Sequence, residues 1–319
     1  MQPFRHGVLE VFGMKCREVH VKNKEIAMML ICIIVFVNGC TSNNDMQSNR
    51  ENLTGSILYA CDGDGASKIH KMKANGSSDA KVAGIPENAY GPVVSPDGKR
   101  LAFYCHVNDS QWSLYILNLE NSEVKQLTNE VNCHDWAISW APDNQWLYFT
   151  RSHMNAIWES EIWKINVVDT SLTSVIEKQA QGGALSPDGQ SLLYFDYSEG
   201  GGDIWQYDLN TKASVQLTSN ADEEWWPSWF PDGKNIVYQG KHEGNFELFS
   251  MNLENKQVTQ LTASEGDEEE PQVSPDGRHI VYSYFSQGEY SLYVMNSDGT
   301  EATRLTTPGV QSMNPSWCR

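Results

Sequence analysis

Two acidic stretches hold the side chains best placed to do chemistry. "ADEEWW" runs from 221 to 226, and "GDEEE" from 266 to 270. Carboxylates gathered at this density would attract a calcium ion, or the basic segment of a protein partner, wherever folding brings the two stretches together. Tryptophan faces beside them could hold a cation or a sugar ring. The partner- or cation-binding candidates are Asp135, Glu223, Glu224, Trp225, Asp267 and Glu268. A second group is Cys105-His106 and Cys133-His134-Asp135, followed by His153. Histidine, cysteine and aspartate are zinc-competent, which makes His106, His134 and His153 metal candidates. Their spacing follows no zinc signature. A Cys105–Cys133 disulfide is the other use of this group in an oxidising compartment. The bland alternatives are solvated loop ends and tryptophans packed into a core.

The elements that must position these residues repeat. "SPDG" occurs at 95–98, 186–189 and 274–277, with "APDN" at 141–144 and "FPDG" at 230–233. Proline presets φ for a type I turn, and the fourth residue takes the left-handed conformation, as in a three-residue hairpin loop. Asn144 stands where the other copies have glycine, and asparagine tolerates that conformation. The turn prolines are Pro96, Pro142, Pro187, Pro231 and Pro275, a spacing of 44 to 46 residues. A period in this range marks a propeller or a related array. A β-rich run follows each turn, and then a second strand pair, so each repeat supplies four strands. The chain ends on "NPSWCR", one period after Pro271, with a strand and no turn beyond it. At the other end, 55–83 has three strands and no turn before it. The expectation is an all-β, six-bladed propeller over 55–319, its ring closed by pairing the N- and C-terminal strands. Closure removes exposed sheet edges.

The phrase P-x-x-S-P-D-G-x-x-I/L-x-Y/F, with "QLT" closing most repeats, resembles the TolB-like, WD40-type propeller repeat. The same repeat occurs in prolyl-oligopeptidase-like enzymes, which add an α/β-hydrolase domain. No G-x-S-x-G occurs in this sequence. The resemblance implies an envelope-facing, non-enzymatic scaffold without the N-terminal domain of TolB and without a resident cofactor. The other readings are a carbohydrate-binding module and a metal-assisted, polysaccharide-lyase-like enzyme, because some lyases resemble this repeat.

Residues 1–39 read as an export signal, with Met14 as an alternative start. A basic-leaning segment precedes the apolar run 26–37, which is too short for a spanning helix. "VNGC" then resembles the bacterial lipobox, with Cys40 as the lipidation site. The expected location is the periplasm, lipid-anchored, at the outer membrane. Residues 40–54 are a polar tether. Without the leader the chain has 18 basic and 38 acidic residues. That field disfavours nucleic acid and anionic membrane, so the anchor is the only membrane contact expected. Cell-wall glycan is the partner expected besides protein.

Overall fold

The computed structural model describes residues 53–318, apart from 64, 109–110, 155, 178, 197–200 and 220–221. The leader, Cys40 and most of the tether lie outside the described residues.

Each repeat forms an antiparallel meander that ends in a short outer strand. The first comprises β1 (Ser56–Asp62), β2 (Lys68–Lys73) and β3 (Ala80–Lys81). Next come β4 (Ala89–Val94), β5 (Arg100–Asn108), β6 (Gln111–Asn118) and β7 (Val124–Gln126), then β8 (Cys133–Trp140), β9 (Trp146–His153), β10 (Ala156–Asn166) and β11 (Leu172–Ile176). They are followed by β12 (Ala180–Leu185), β13 (Ser191–Asp196), β14 (Asp203–Asp208) and β15 (Ser214–Gln216). The last strands are β16 (Glu224–Trp229), β17 (Asn235–His242), β18 (Asn245–Asn252), β19 (Val258–Gln260), β20 (Asp267–Val273), β21 (His279–Ser286), β22 (Glu289–Asn296), β23 (Thr303–Arg304) and β24 (Gln311–Cys318). No helix occurs among the described residues. The architecture is an all-β propeller.

The hairpins inside the repeats form as the turn chemistry requires. Gly98, Gly189, Gly233 and Gly277 have φ between 66° and 73°, and Asn144 has φ 60°. Each donates its N–H to the carbonyl three residues back, for example Gly98 to Ser95 at 2.8 Å. In the three SPDG copies the serine hydroxyl also donates to the aspartate at 2.6 Å, which locks the turn.

The six separate sheets expected from the repeat appear as five hydrogen-bonded sheets, four of four strands and one of eight. The larger sheet joins β4–β7 to β8–β11 through a single parallel pairing, Trp112 with His134. Closure follows the sequence reading: β24 pairs antiparallel with β1, from Ser56 opposite Cys318 to Asp62 opposite Gln311.

Packing explains why the second strand of each meander contains an unbroken apolar run, such as Leu101–Cys105, Leu192–Phe195 and Ile236–Tyr238. Neighbouring residues point into opposite gaps between sheets, and both gaps are apolar. Leu192 joins a cluster with Tyr148 and Ile162, while Leu193 joins one with Ile236 and Tyr238. Ile236 and Val237 divide in the same way. The cluster of Ile57, Tyr59, Val281 and Leu292 seals the last sheet against the first. Phe103, Phe149 and Phe195 are fully buried in such gaps. Each is worth about 2–3 kcal/mol of transfer free energy.

Candidate functional site

All six first strands (β4, β8, β12, β16, β20 and β24) line one central cavity of about 170 Å³. Each carries a bulge at the same repeat position, where the pairing register shifts. The bulged residues are Gly91, Ala137, Gly182, Trp226, Glu270 and Asn314, all with φ between 51° and 70°. Two are glycine for a visible reason. A Cβ on Gly91 would lie 2.5 Å from the Tyr104 ring, and one on Gly182 would lie 2.3 Å from the Phe195 ring. The other four hold the left-handed conformation without glycine, at a cost of roughly 1 kcal/mol or more each.

The strained residues give the cavity its chemistry. Glu270 accepts the Asn314 backbone N–H at 2.8 Å, the Asn314 side-chain amide, and the Ser283 hydroxyl at 3.0 Å. Desolvation nevertheless raises the pKa of Glu270, and those hydrogen bonds oppose the rise. Trp226 meets Trp136 edge-on at 5.6 Å and packs 5.9 Å from Phe195. Tyr104 adds a second aromatic to the wall, with its hydroxyl held protonated by burial and then by the charge of Glu270. One carboxylate facing aromatic surface suits the binding of a cationic or ring-bearing group.

Folding does not gather Glu223, Glu224, Asp267 and Glu268, the acids of the two stretches, into one carboxylate cluster. From Glu224 and from Asp267 onward the two stretches are strands β16 and β20, so successive side chains there alternate between faces. Glu223 pairs with Lys241 at 3.4 Å. Glu224 is buried at 2% exposure. Asp267 accepts the Phe246 N–H at 2.9 Å. Glu268 is buried in the seam beside Glu247 rather than gathered with Glu224. Glu269 accepts the Tyr290 hydroxyl, and burial, followed by the charges of Glu270 and Asp267, pushes it up to about 8. Trp225 packs against Phe246 at 4.8 Å. Asp135 is buried in a bidentate pair with Arg151, at 2.7 and 2.8 Å, instead of facing a partner. That guanidinium also covers the Phe149 and Trp163 rings.

The Cys105–Cys133 bridge is not formed, and both thiols are free. Cys105 donates to the Glu87 carbonyl, and burial pushes its thiol up to about 11. Cys133 lies 3.5 Å from His153 Nδ1. Burial raises its pKa too, so it does not form an activated thiolate. The three histidines do not converge. His106 stacks on Trp112 at 4.8 Å, and His134 meets the same ring at 4.6 Å. Among the described residues, no three His, Cys, Asp or Glu side chains come together as a metal site.

The sequence reading included Trp226 among the aromatic faces and Glu270 in the second acidic stretch without singling out either as a cavity residue, and it omitted Asn314 and Tyr104. A signal for the first three exists. Five residues before each turn proline stand Gly91, Ala137, Gly182, Trp226 and Glu270, and Asn314 continues the series. Glycine and asparagine at half of these positions mark a left-handed conformation.

A ring of meanders around a lined cavity defines the class, an all-β propeller. The model of the TolB beta propeller domain matches residues 77–224 and 182–319, and the chain belongs to that family. Among solved structures it is similar to TolB from Acinetobacter baumannii, at 21% identity and a TM-score of 0.74, covering 83% of this chain and 67% of that one. A putative TolB from Agrobacterium tumefaciens matches at 16% identity and a TM-score of 0.63, covering 83% and 99%. An oligogalacturonate lyase in complex with manganese matches at 15% identity and a TM-score of 0.57, covering 80% and 74%. At these identities the structural likeness concerns the fold. No curated protein matches the chain.

Proposed function

We propose that this chain is a non-enzymatic, periplasmic scaffold whose central cavity receives a segment of a protein partner. The observation that carries the reading is the convergence of Glu270, Trp226 and Tyr104 on a cavity lined by all six first strands. Strained backbone retained at such a place favours a role in binding over a role in stability. A segment bearing lysine, arginine or a free amino terminus matches the carboxylate and the aromatic walls. We count the joined sheet as two blades, which makes six, because one parallel bridge is all that links its halves. The reading includes no resident cofactor. Calcium at the two acidic stretches would need carboxylates that are committed elsewhere: Glu223 to Lys241, Asp267 to Phe246, and Glu268 to the seam beside Glu247.

The lyase-like and sugar-binding readings draw less support. His106, His134 and His153 are engaged with Trp112 and Cys133 and converge on no common point. The test is capture from envelope extract by the full chain, compared with Glu270→Gln and Trp226→Ala. A specific partner retained by the parent and reduced at least about tenfold by either change is expected. Equal capture by all three proteins would refute the cavity as the binding site.

Attachment through Cys40 belongs to the same proposal. Cys40→Ser should prevent labelling by a fatty-acid probe and release the protein from the membrane fraction. Unchanged labelling and fractionation would contradict the anchor.

A further inference from the structure

Glu247 and Glu268 have no part in the cavity. They face each other across the seam between sheet β16–β19 and sheet β20–β23. Both are almost completely buried, at 4% and 3% exposure. Asp267, next to Glu268, accepts the N–H of Phe246, next to Glu247, and this brings the two buried carboxyls to the same place in the seam. Glu247 Oε1 accepts the Ser264 N–H at 2.9 Å. Glu247 Oε2 and Glu268 Oε2 are both buried without a hydrogen-bond donor. A carboxylate only accepts hydrogen bonds, so two carboxylates cannot bond to each other unless one keeps its proton.

Among the described residues no cation relieves the pair. On the elements packed around it, Lys241 is committed to Glu223, and His242 lies edge-on to Phe249. On the far sheet, His279 stacks on Trp317 and Arg304 pairs with Glu289. The remaining titratable neighbours are acids or phenols. Tyr282 feels both carboxylates, Tyr238 feels Glu224, and Asp267 caps the backbone of Phe246.

The preceding seam carries acids at the same two repeat positions, Asp203 and Glu224, 44 residues earlier. The other equivalent pairs are Lys68/Ala89, Ser113/Asp135, Glu161/Ala180 and Ser291/Ser312, none with two acids. The double acid is therefore a local feature of this sector and not a requirement of the repeat.

We propose that Glu247 and Glu268 form a proton-sharing latch that holds the seam closed in acid and loosens it in alkali. Losing the shared proton leaves two buried like charges in contact and no hydrogen bond between them. Burial, followed by the neighbouring Glu247 carboxyl, pushes Glu268 up to about 8. The unfolded chain releases that proton near the ordinary glutamate value. The folded state binds more protons between these two values, so stability falls as pH rises across that window. The latch lies on the strand that carries Glu270 two residues later, so a loosened seam would reach the cavity wall.

The test uses the full chain. Thermal unfolding and amide exchange are followed from about pH 6 to about pH 9 for the parent, Glu268→Gln and Glu269→Gln. Glutamine can donate to Glu247 at any pH. The parent should lose several degrees of melting temperature over this range. Amides of β18 and β20 should lose protection by about tenfold beyond the intrinsic pH effect. Glu268→Gln should keep the acid-side protection of β18 and β20 at high pH and lose fewer degrees of melting temperature than the parent, since Glu269 still titrates in it. Glu269→Gln should leave the loss of protection in β18 and β20 in place. Should Glu268→Gln not fold, Glu247→Gln carries the same expectation. If the glutamine variant follows the pH slope of the parent, or is less stable than the parent at high pH, the latch is refuted.

Discussion

At the scale of single residues, the decisive finding is how the acids are used. Asp135 is the clearest case. Read along the sequence, it stands beside His134 and Trp136 and looks available to a partner. In the fold, Arg151 takes both of its oxygens, and the pair is buried. Nothing in the local sequence announces a partner sixteen residues away on the neighbouring strand. Removing one member of a buried ion pair strands the other, and the usual cost is about 3–5 kcal/mol. Asp135→Ala should therefore lower the unfolding free energy by that amount, as measured by denaturant titration. Asp135→Ala combined with Arg151→Met should recover most of the loss. A single variant within about 0.5 kcal/mol of the parent would show the pair to be dispensable.

At the scale of elements, the turn phrase was fully legible because its chemistry is local. Proline, aspartate and a left-handed fourth residue determine the hairpin without reference to the rest of the chain, and Asn144 obeys the rule as the glycines do. The strand at 267–273 was not legible. Its run of acids reads as a solvated loop, yet β20 begins at Asp267. Strand alternation sends Glu268 into the seam, while Glu269 meets Tyr290 and the bulge turns Glu270 to Asn314. One acidic run thus has three destinations. The bulge ring escaped notice because its residues share a backbone conformation and not a side-chain type. Gly182 tests the ring directly. Alanine there would be both left-handed and pressed into the Phe195 ring. Gly182→Ala should destabilise by roughly 2 kcal/mol or more in chemical denaturation. A neutral outcome would mean that the bulge can rearrange freely.

At the scale of the whole molecule, closure governs stability. β24 pairs with β1 across the full separation of the chain, and the cluster containing Ile57 and Val281 seals the same junction. Removing residues 313–318 should strip β1 of its inner neighbour, lower the melting temperature and broaden the transition. A truncated chain that melts with the cooperativity of the parent would show closure to be unnecessary. Ring closure was readable from the sequence, since an orphan strand at one end matched an incomplete unit at the other. Partner chemistry was readable only in outline, because it depends on which side chains the ring turns inward.

The most direct test of the central claim, that the cavity receives a partner, is site-specific photo-crosslinking in cells. A photoreactive residue is placed at Gln272 in the cavity wall or, as a control, at exposed Val258 on an outer strand. The account predicts a discrete protein adduct from position 272 that is lost when Glu270→Gln is added, and no such adduct from position 258. An adduct from 258 with none from 272 would contradict it.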